Sequence, residues 1–127
     1  LDAPAANDAF QNFVSNLTID VGANNPGAIA LDFHTNNGGG VIDVILRGPA
    51  SAHTGLSITR NLAGIGLIRG LRVEGFRTGA HVAHFHVAFV FDACEFAGQS
   101  EVAVLSNDKP LSFFDCTSEN SVPFLRT

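Results

Sequence analysis

Charge is scarce in this 127-residue chain: 15% of residues are charged, 7 basic against 12 acidic, for a net charge of −5. No basic cluster exists, so the electrostatic footprint that holds a phosphate backbone is missing and nucleic acid is excluded as a natural partner. No apolar run approaches the ~20 residues that span a bilayer, and no membrane partner is expected. Methionine, tryptophan and tyrosine are absent altogether. Losing the two large amphipathic aromatics removes the usual contact platforms for a flat ligand, and leaves Phe76 and Phe85 as the expected exposed aromatics. No stretch carries the 3.6-residue periodicity of an amphipathic helix. Two cysteines are too few for a disulfide framework and leave the redox compartment open. No signal peptide is visible, and a methionine-free chain opening at Leu1 leads us to expect a processed product or a fragment.

What is present is a repeat. Asn16-Leu17-Thr18-Ile19-Asp20 aligns with Asp43-Val44-Ile45-Leu46-Arg47 and with Gly70-Leu71-Arg72-Val73-Glu74, then with Ala93-Cys94-Glu95-Phe96-Ala97 and Asp115-Cys116-Thr117-Ser118-Glu119. The spacings are 27, 27, 23 and 22 residues. An apolar run precedes each block, such as Val41-Ile42 or Phe89-Val90-Phe91, and a second alternating run follows it, such as Gly55-Leu56-Ser57-Ile58. Gly48, Gly75, Gly98 and Asn120 stand at one offset after their blocks, residues that tolerate the left-handed backbone of a sharp corner. Short strands at a fixed long period predict an all-β solenoid, a parallel β-helix of about five coils with three short strands per coil. The alternative is a sandwich of antiparallel hairpins, which needs no such period. Residues 1–12 read as a lead-in segment and 13–127 as the β-helix. Neither end carries an obvious cap, so coils are expected to be missing on at least the C-terminal side.

Stacking one strand spacing apart, ~4.8 Å, sorts each block by alternation. Leu17, Val44, Leu71, Cys94 and Cys116 should point inward, as should Ile19, Leu46, Val73, Phe96 and Ser118. Two outward rows lie between them: Thr18, Ile45, Arg72, Glu95, Thr117, and Asp20, Arg47, Glu74, Ala97, Glu119. Opposite charges on adjacent strands make either a substrate groove, with Arg72 among carboxylates, or an ion-pair ladder that pins register. The stacked cysteines have Cα atoms in disulfide range but parallel Cβ vectors, which favours two buried thiols over a bridge.

The second alternating run places Asp32, Ser57 and His81 in one outward row and His34, Thr59 and Ala83 in the next. Carboxylate, hydroxyl and imidazole in a row suggest nucleophilic catalysis, but one coil spacing is looser than the ~2.6–3.2 Å contact a triad needs. His84 and His86 alternate and, with Asp92, could ligate a transition metal, but unligated surface histidines are commoner and no metal site is expected. Asp20, Asp32, Asp43 and Asp92 are spread over different coils, so no calcium cage is evident. No cofactor is expected. A long flank offers a linear groove to a linear polymer; paired carboxylates would supply acid and base for hydrolysis, or one carboxylate and a basic group would serve for elimination, and Asp20, Asp32, Glu74, Glu95 and Glu119 are the available acids.

Three of these runs also resemble a known family: Asn16 to Asp20, Asn25-Pro26-Gly27-Ala28-Ile29-Ala30-Leu31-Asp32-Phe33, and Asn36-Asn37-Gly38-Gly39-Gly40-Val41-Ile42-Asp43-Val44. They are similar to the pectate lyase superfamily, and more closely to bacterial β-helix proteins labelled glycoside-hydrolase-like or pectate-lyase-like. Leu71-Arg72-Val73-Glu74-Gly75-Phe76 and Ser118-Glu119-Asn120-Ser121-Val122-Pro123 resemble continuations found there. The resemblance runs from about Phe10 to Val122 and implies a right-handed parallel β-helix. It also implies a secreted or envelope location and a polysaccharide or oligosaccharide partner. No catalytic signature of pectate lyases or polygalacturonases maps onto a position here.

The expected function is a segment of a polysaccharide-active β-helix protein, a glycoside hydrolase or polysaccharide lyase, with Asp32, His81, Arg72 and Glu95 as the catalytic candidates. The alternative is a non-catalytic structural or adhesive module. Open end strands predict self-association.

Overall fold

The computed structural model describes residues 9–61, 63–83, 88–107 and 109–127. Their strands are β1 (Phe13–Asp20), β2 (Ile29–Asp32), β3 (Gly40–Arg47), β4 (Thr54–Ile58), β5 (Gly66–Arg69), β6 (Arg72–Glu74) and β7 (Thr78–Val82), then β8 (Phe89–Asp92), β9 (Glu95–Ala97), β10 (Val102–Ser106), β11 (Leu111–Phe114), β12 (Thr117–Glu119) and β13 (Leu125–Arg126). Every pairing among them is parallel, which overturns the hairpin alternative. The chain winds as an all-β solenoid. One sheet runs β13-β10-β7-β4-β2, and the other joins β1 and β3 to β5, β8, β11 on one side of a corner and to β6, β9, β12 on the other.

That corner explains the repeat. The residue opening each aligned block, Asn16, Asp43, Gly70, Ala93 or Asp115, adopts positive φ between 49° and 61°. Five left-handed corners in one row are separated by four full turns of the solenoid. In the first two coils the strand runs through the corner as a single element. From Gly70 onward it breaks, giving three strands per coil. Short polar Asn and Asp tolerate this backbone best after glycine.

The second corner is built differently. Gly75 and Gly98 have φ of +84° and +72°, whereas Gly48 does not enter the left-handed region. Gly48 is small for another reason: a Cβ there would lie 2.7 Å from Val21 and 2.9 Å from the Phe76 ring. Around Gly98 a buried amide network replaces ordinary turn bonds. Gln99 Nε2 donates to the carbonyls of Val73, Gly75 and Ala97 at 2.8–3.1 Å, and Asn120 Nδ2 donates to Gln99 Oε1 at 2.6 Å. One side chain thereby ties three coils together.

The inward rows form the core. Val14, Val41, Ile68, Phe91 and Phe113 share one row by register, and Leu31, Leu56, Ala80, Val104 and Leu125 another. In the middle coils these side chains are fully buried, but Leu17 and Leu125 are each 42% exposed. Leu17 and Ser118 sit in inward rows as expected, yet both are exposed because the first and last coils have a neighbour on one side only. The described lead-in residues dock on coil two: Gln11 N donates to Asn36 O at 2.9 Å, Asn36 N to Ala9 O at 2.8 Å, and the buried Thr35 hydroxyl receives Asn12 N at 3.1 Å.

Cys94 and Cys116 are free thiols, the first buried and the second half-buried. Burial pushes the Cys94 thiol up to about 12. The thiolate is the reactive form, so native protein should give one fast thiol reaction with an aromatic disulfide reagent, at Cys116. The second should follow only on unfolding, and Cys116→Ser should abolish the fast phase. Because the folded value is raised, this thiol's contribution to stability is present below about pH 9 and is lost as pH rises toward 12.

Candidate functional site

Alternation and parallel register bring the sequence-predicted residues to two separate places. On the sheet of β6, β9 and β12, both outward rows are found as expected: Thr18, Ile45, Arg72, Glu95, Thr117, and Asp20, Arg47, Glu74, Ala97, Glu119. Glu74 sits between two guanidiniums. Arg47 Nε donates to its Oε2 at 2.6 Å and Arg72 Nε approaches Oε1 at 2.8 Å. Arg72 also lies 3.8 Å from Glu95. The hydrogen bond from Arg47 holds the Glu74 carboxyl below the usual carboxylate range, against a smaller opposing effect of burial.

A lowered folded pKa means Glu74 stabilises the fold above the ordinary carboxylate pKa, and that this contribution disappears as pH falls through the folded value. Melting temperatures of wild type and Glu74→Gln should therefore differ at neutral pH and converge in acid. Added salt should narrow the gap as well.

Two adjoining hollows flank this network. One, of about 320 Å³, is lined by Asp43, Ile45, Leu71, Arg72 and Glu95; the other, of about 140 Å³, by Arg72, Glu95, Thr117 and Glu119. Arg72 and Glu95 line both, so the hollows follow the stacking axis.

The other two candidates lie on the opposite sheet. Asp32, Ser57 and His81 share one row, as expected. Asp32 and His81 are therefore two strand spacings apart, ~9.6 Å. Ser57 is buried, and its hydroxyl pairs with Thr59 at 3.0 Å. Asp32 Oδ2 accepts from Arg60 Nε at 3.0 Å and Nη2 at 2.7 Å. This arrangement cannot relay a proton from serine to imidazole to carboxylate. Sequence reasoning misses Arg60: the residue one coil after Asp32 in register is Ser57, and Arg60 stands beyond the end of β4 in a connecting segment that the repeat does not place. Asp32 and Arg60 line a cleft of about 540 Å³ at the first coil, with Phe13, Val14, Leu31 and His34.

Phe76 is not an exposed aromatic but fully buried. Its φ of 67°, directly after Gly75 at 84°, breaks the strand alternation and turns the ring inward. Among the described residues the exposed rings are Phe10, Phe13 and Phe114 at 52–63%. Phe85, His84 and His86 lie outside the described residues. Asp92, the third member of that metal reading, is paired with Arg69 at 2.8 Å. Among the described residues no group of three or more His, Cys, Asp or Glu side chains could hold a metal ion, and no helix is long and apolar enough to cross a membrane.

Compared with known proteins, the chain matches no family model, and neither a curated protein nor a solved structure is significantly similar to it.

Proposed function

We propose that this chain is a non-catalytic structural module, a stretch of β-solenoid whose outward charges hold strand register. The observation that carries the reading is the engagement of the acids. Asp32 is tied up by Arg60, Glu74 by Arg47 and Arg72, and Glu95 lies beside Arg72 on a different sheet from Asp32. Glycoside hydrolysis needs two carboxylates across one scissile bond, and these acids are engaged by arginines on separate sheets, with Glu74 held in its ionised form by the Arg47 hydrogen bond.

A second reading keeps the polysaccharide partner and the pectate-lyase-like kinship, with an extracellular or envelope setting. The two hollows sharing Arg72 and Glu95 favour it, since they would lay a linear glycan along the stack. Assaying a polysaccharide panel for new reducing ends and unsaturated uronides separates the two readings. The scaffold reading expects no turnover, and Arg72→Ala that lowers the melting temperature. Turnover abolished by Glu95→Gln or Asp32→Asn at unchanged melting temperature would overturn it.

A further inference from the structure

Beyond the scaffold reading, we propose that one flank of the solenoid is a self-association surface, on which a second copy of the chain packs face to face. The flank is the outer face of β5, β8 and β11 with the first halves of β1 and β3. Register sets two outward rows on it: Phe13, Leu67 and Val90 stand in one with Gly40 and Ser112, and Ile42 and Phe114 in the next with Ser15, Arg69 and Asp92. Val41, Ile68 and Phe91 alternate with these residues and are fully buried, so both rows face out. Ile65, two residues before Leu67, extends the same side and is 68% exposed, against 63% for Phe13 and 58% for Phe114. Ile42, Leu67 and Val90 are half-buried. Across the corner the outward rows carry Arg47, Arg72, Glu74 and Glu95 instead. One flank is therefore charged, while its neighbour presents an apolar side chain on every coil. Because outward rows run along the stack, a further coil at either end would lengthen this face without covering it.

Charge and area make the occupant a second copy. The only ionic groups in the two rows are Arg69 and Asp92, which satisfy each other at 2.8 Å within one chain. The face thus holds no net charge to select a partner of opposite sign, and none to repel its own image. Five strands ~4.8 Å apart, each spanning a segment like that from Ile65 to Arg69, cover roughly 24 by 16 Å in plan. Side-chain relief raises this to about 600 Å² of accessible surface per copy, so two copies would bury about 1,200 Å², the lower end for a stable specific interface. A contiguous apolar patch of several hundred Å² marks an interaction surface, whereas singly scattered apolar side chains do not. Sheets packed face to face sit ~10 Å apart, and a two-fold axis between them buries the same patch on both copies. Such a contact is isologous and closes at a dimer.

Sedimentation equilibrium over a concentration series tests this. Wild type should rise in mass to a plateau at twice the chain mass, and sodium chloride should not dissociate it, since the contact holds no exposed ion pair between copies. Ile65→Lys and Phe114→Lys each set a charge on an exposed position of the face. Each should weaken association at least about tenfold, the scale of losing one well-packed interface residue. Thr18→Lys makes a similar change at an exposed position of the charged flank and should leave the mass curve unchanged. Circular dichroism at concentrations where wild type is monomeric checks that every variant folds. A wild-type monomer at all concentrations would overturn the proposal and leave the face to a different occupant. Growth beyond the dimer would overturn the two-fold contact. Undiminished association of both face variants, or its loss in Thr18→Lys, would overturn the assignment to this flank.

Discussion

Gly75→Ala should be the most damaging small substitution in the chain, lowering stability by more than about 4 kcal/mol, the range reserved for backbone conflicts and core disruption. A methyl there would fall inside the carbonyl oxygen of Gly48 on the adjacent coil and within 2.9 Å of that residue's carbonyl carbon. Both obstacles are backbone, so no rotamer change relieves them. The φ of +84° adds the ordinary left-handed strain of an L-residue. Gly22→Ala isolates that second component. Its φ is +69°, but nothing lies within 4 Å of a Cβ built there, and it should cost about 1 kcal/mol. Urea unfolding followed by circular dichroism would measure both, since no tryptophan or tyrosine is available as a fluorescent probe. Equal losses at the two glycines would refute the close approach of the coils at Gly75.

Phe76→Ala is expected to cost about 3–5 kcal/mol, the usual range for emptying a buried phenylalanine site. The ring is fully buried and packs where Cβ atoms on Gly48 and Gly55 would meet it at 2.9 and 3.4 Å. Ile65→Ala, at 68% exposed, should fall within about 0.5 kcal/mol of wild type. A sharper signature is available because Phe76 holds φ at 67°. Phe76→Gly loses the same ring but relieves the left-handed strain, so it should be more stable than Phe76→Ala by about 1 kcal/mol. At a site with ordinary backbone geometry glycine would be the worse of the two.

The rows were legible because a solenoid turns sequence period directly into spatial adjacency. Once Leu17, Val44, Leu71, Cys94 and Cys116 are aligned, alternation fixes which neighbours face out, and the Arg47–Glu74 pair follows. Residues off that regular lattice were not legible. Phe76 obeys two consecutive left-handed residues instead of strand alternation. Arg60 reaches Asp32 from a connecting segment, where side-chain direction has no period. Leu17 and Ser118 show that row membership gives direction but not burial, which depends on having a coil on both sides. The candidate site fared worst for a related reason: periodicity says which residues are neighbours, while chemistry depends on which of them are left unpaired.

Because the strand pairings join each coil only to the coils above and below it, the molecule is mechanically a stack of rungs in series. Held by its two ends and stretched, it should fail from the outermost rung inward. Each rung of 22–27 residues would release roughly 70–90 Å of extended chain, and a force trace would read as a short staircase. The Gln99 side chain, bonded to three successive coils, should act as a ratchet pawl in that sequence, holding the last rungs together until a higher load breaks them at once.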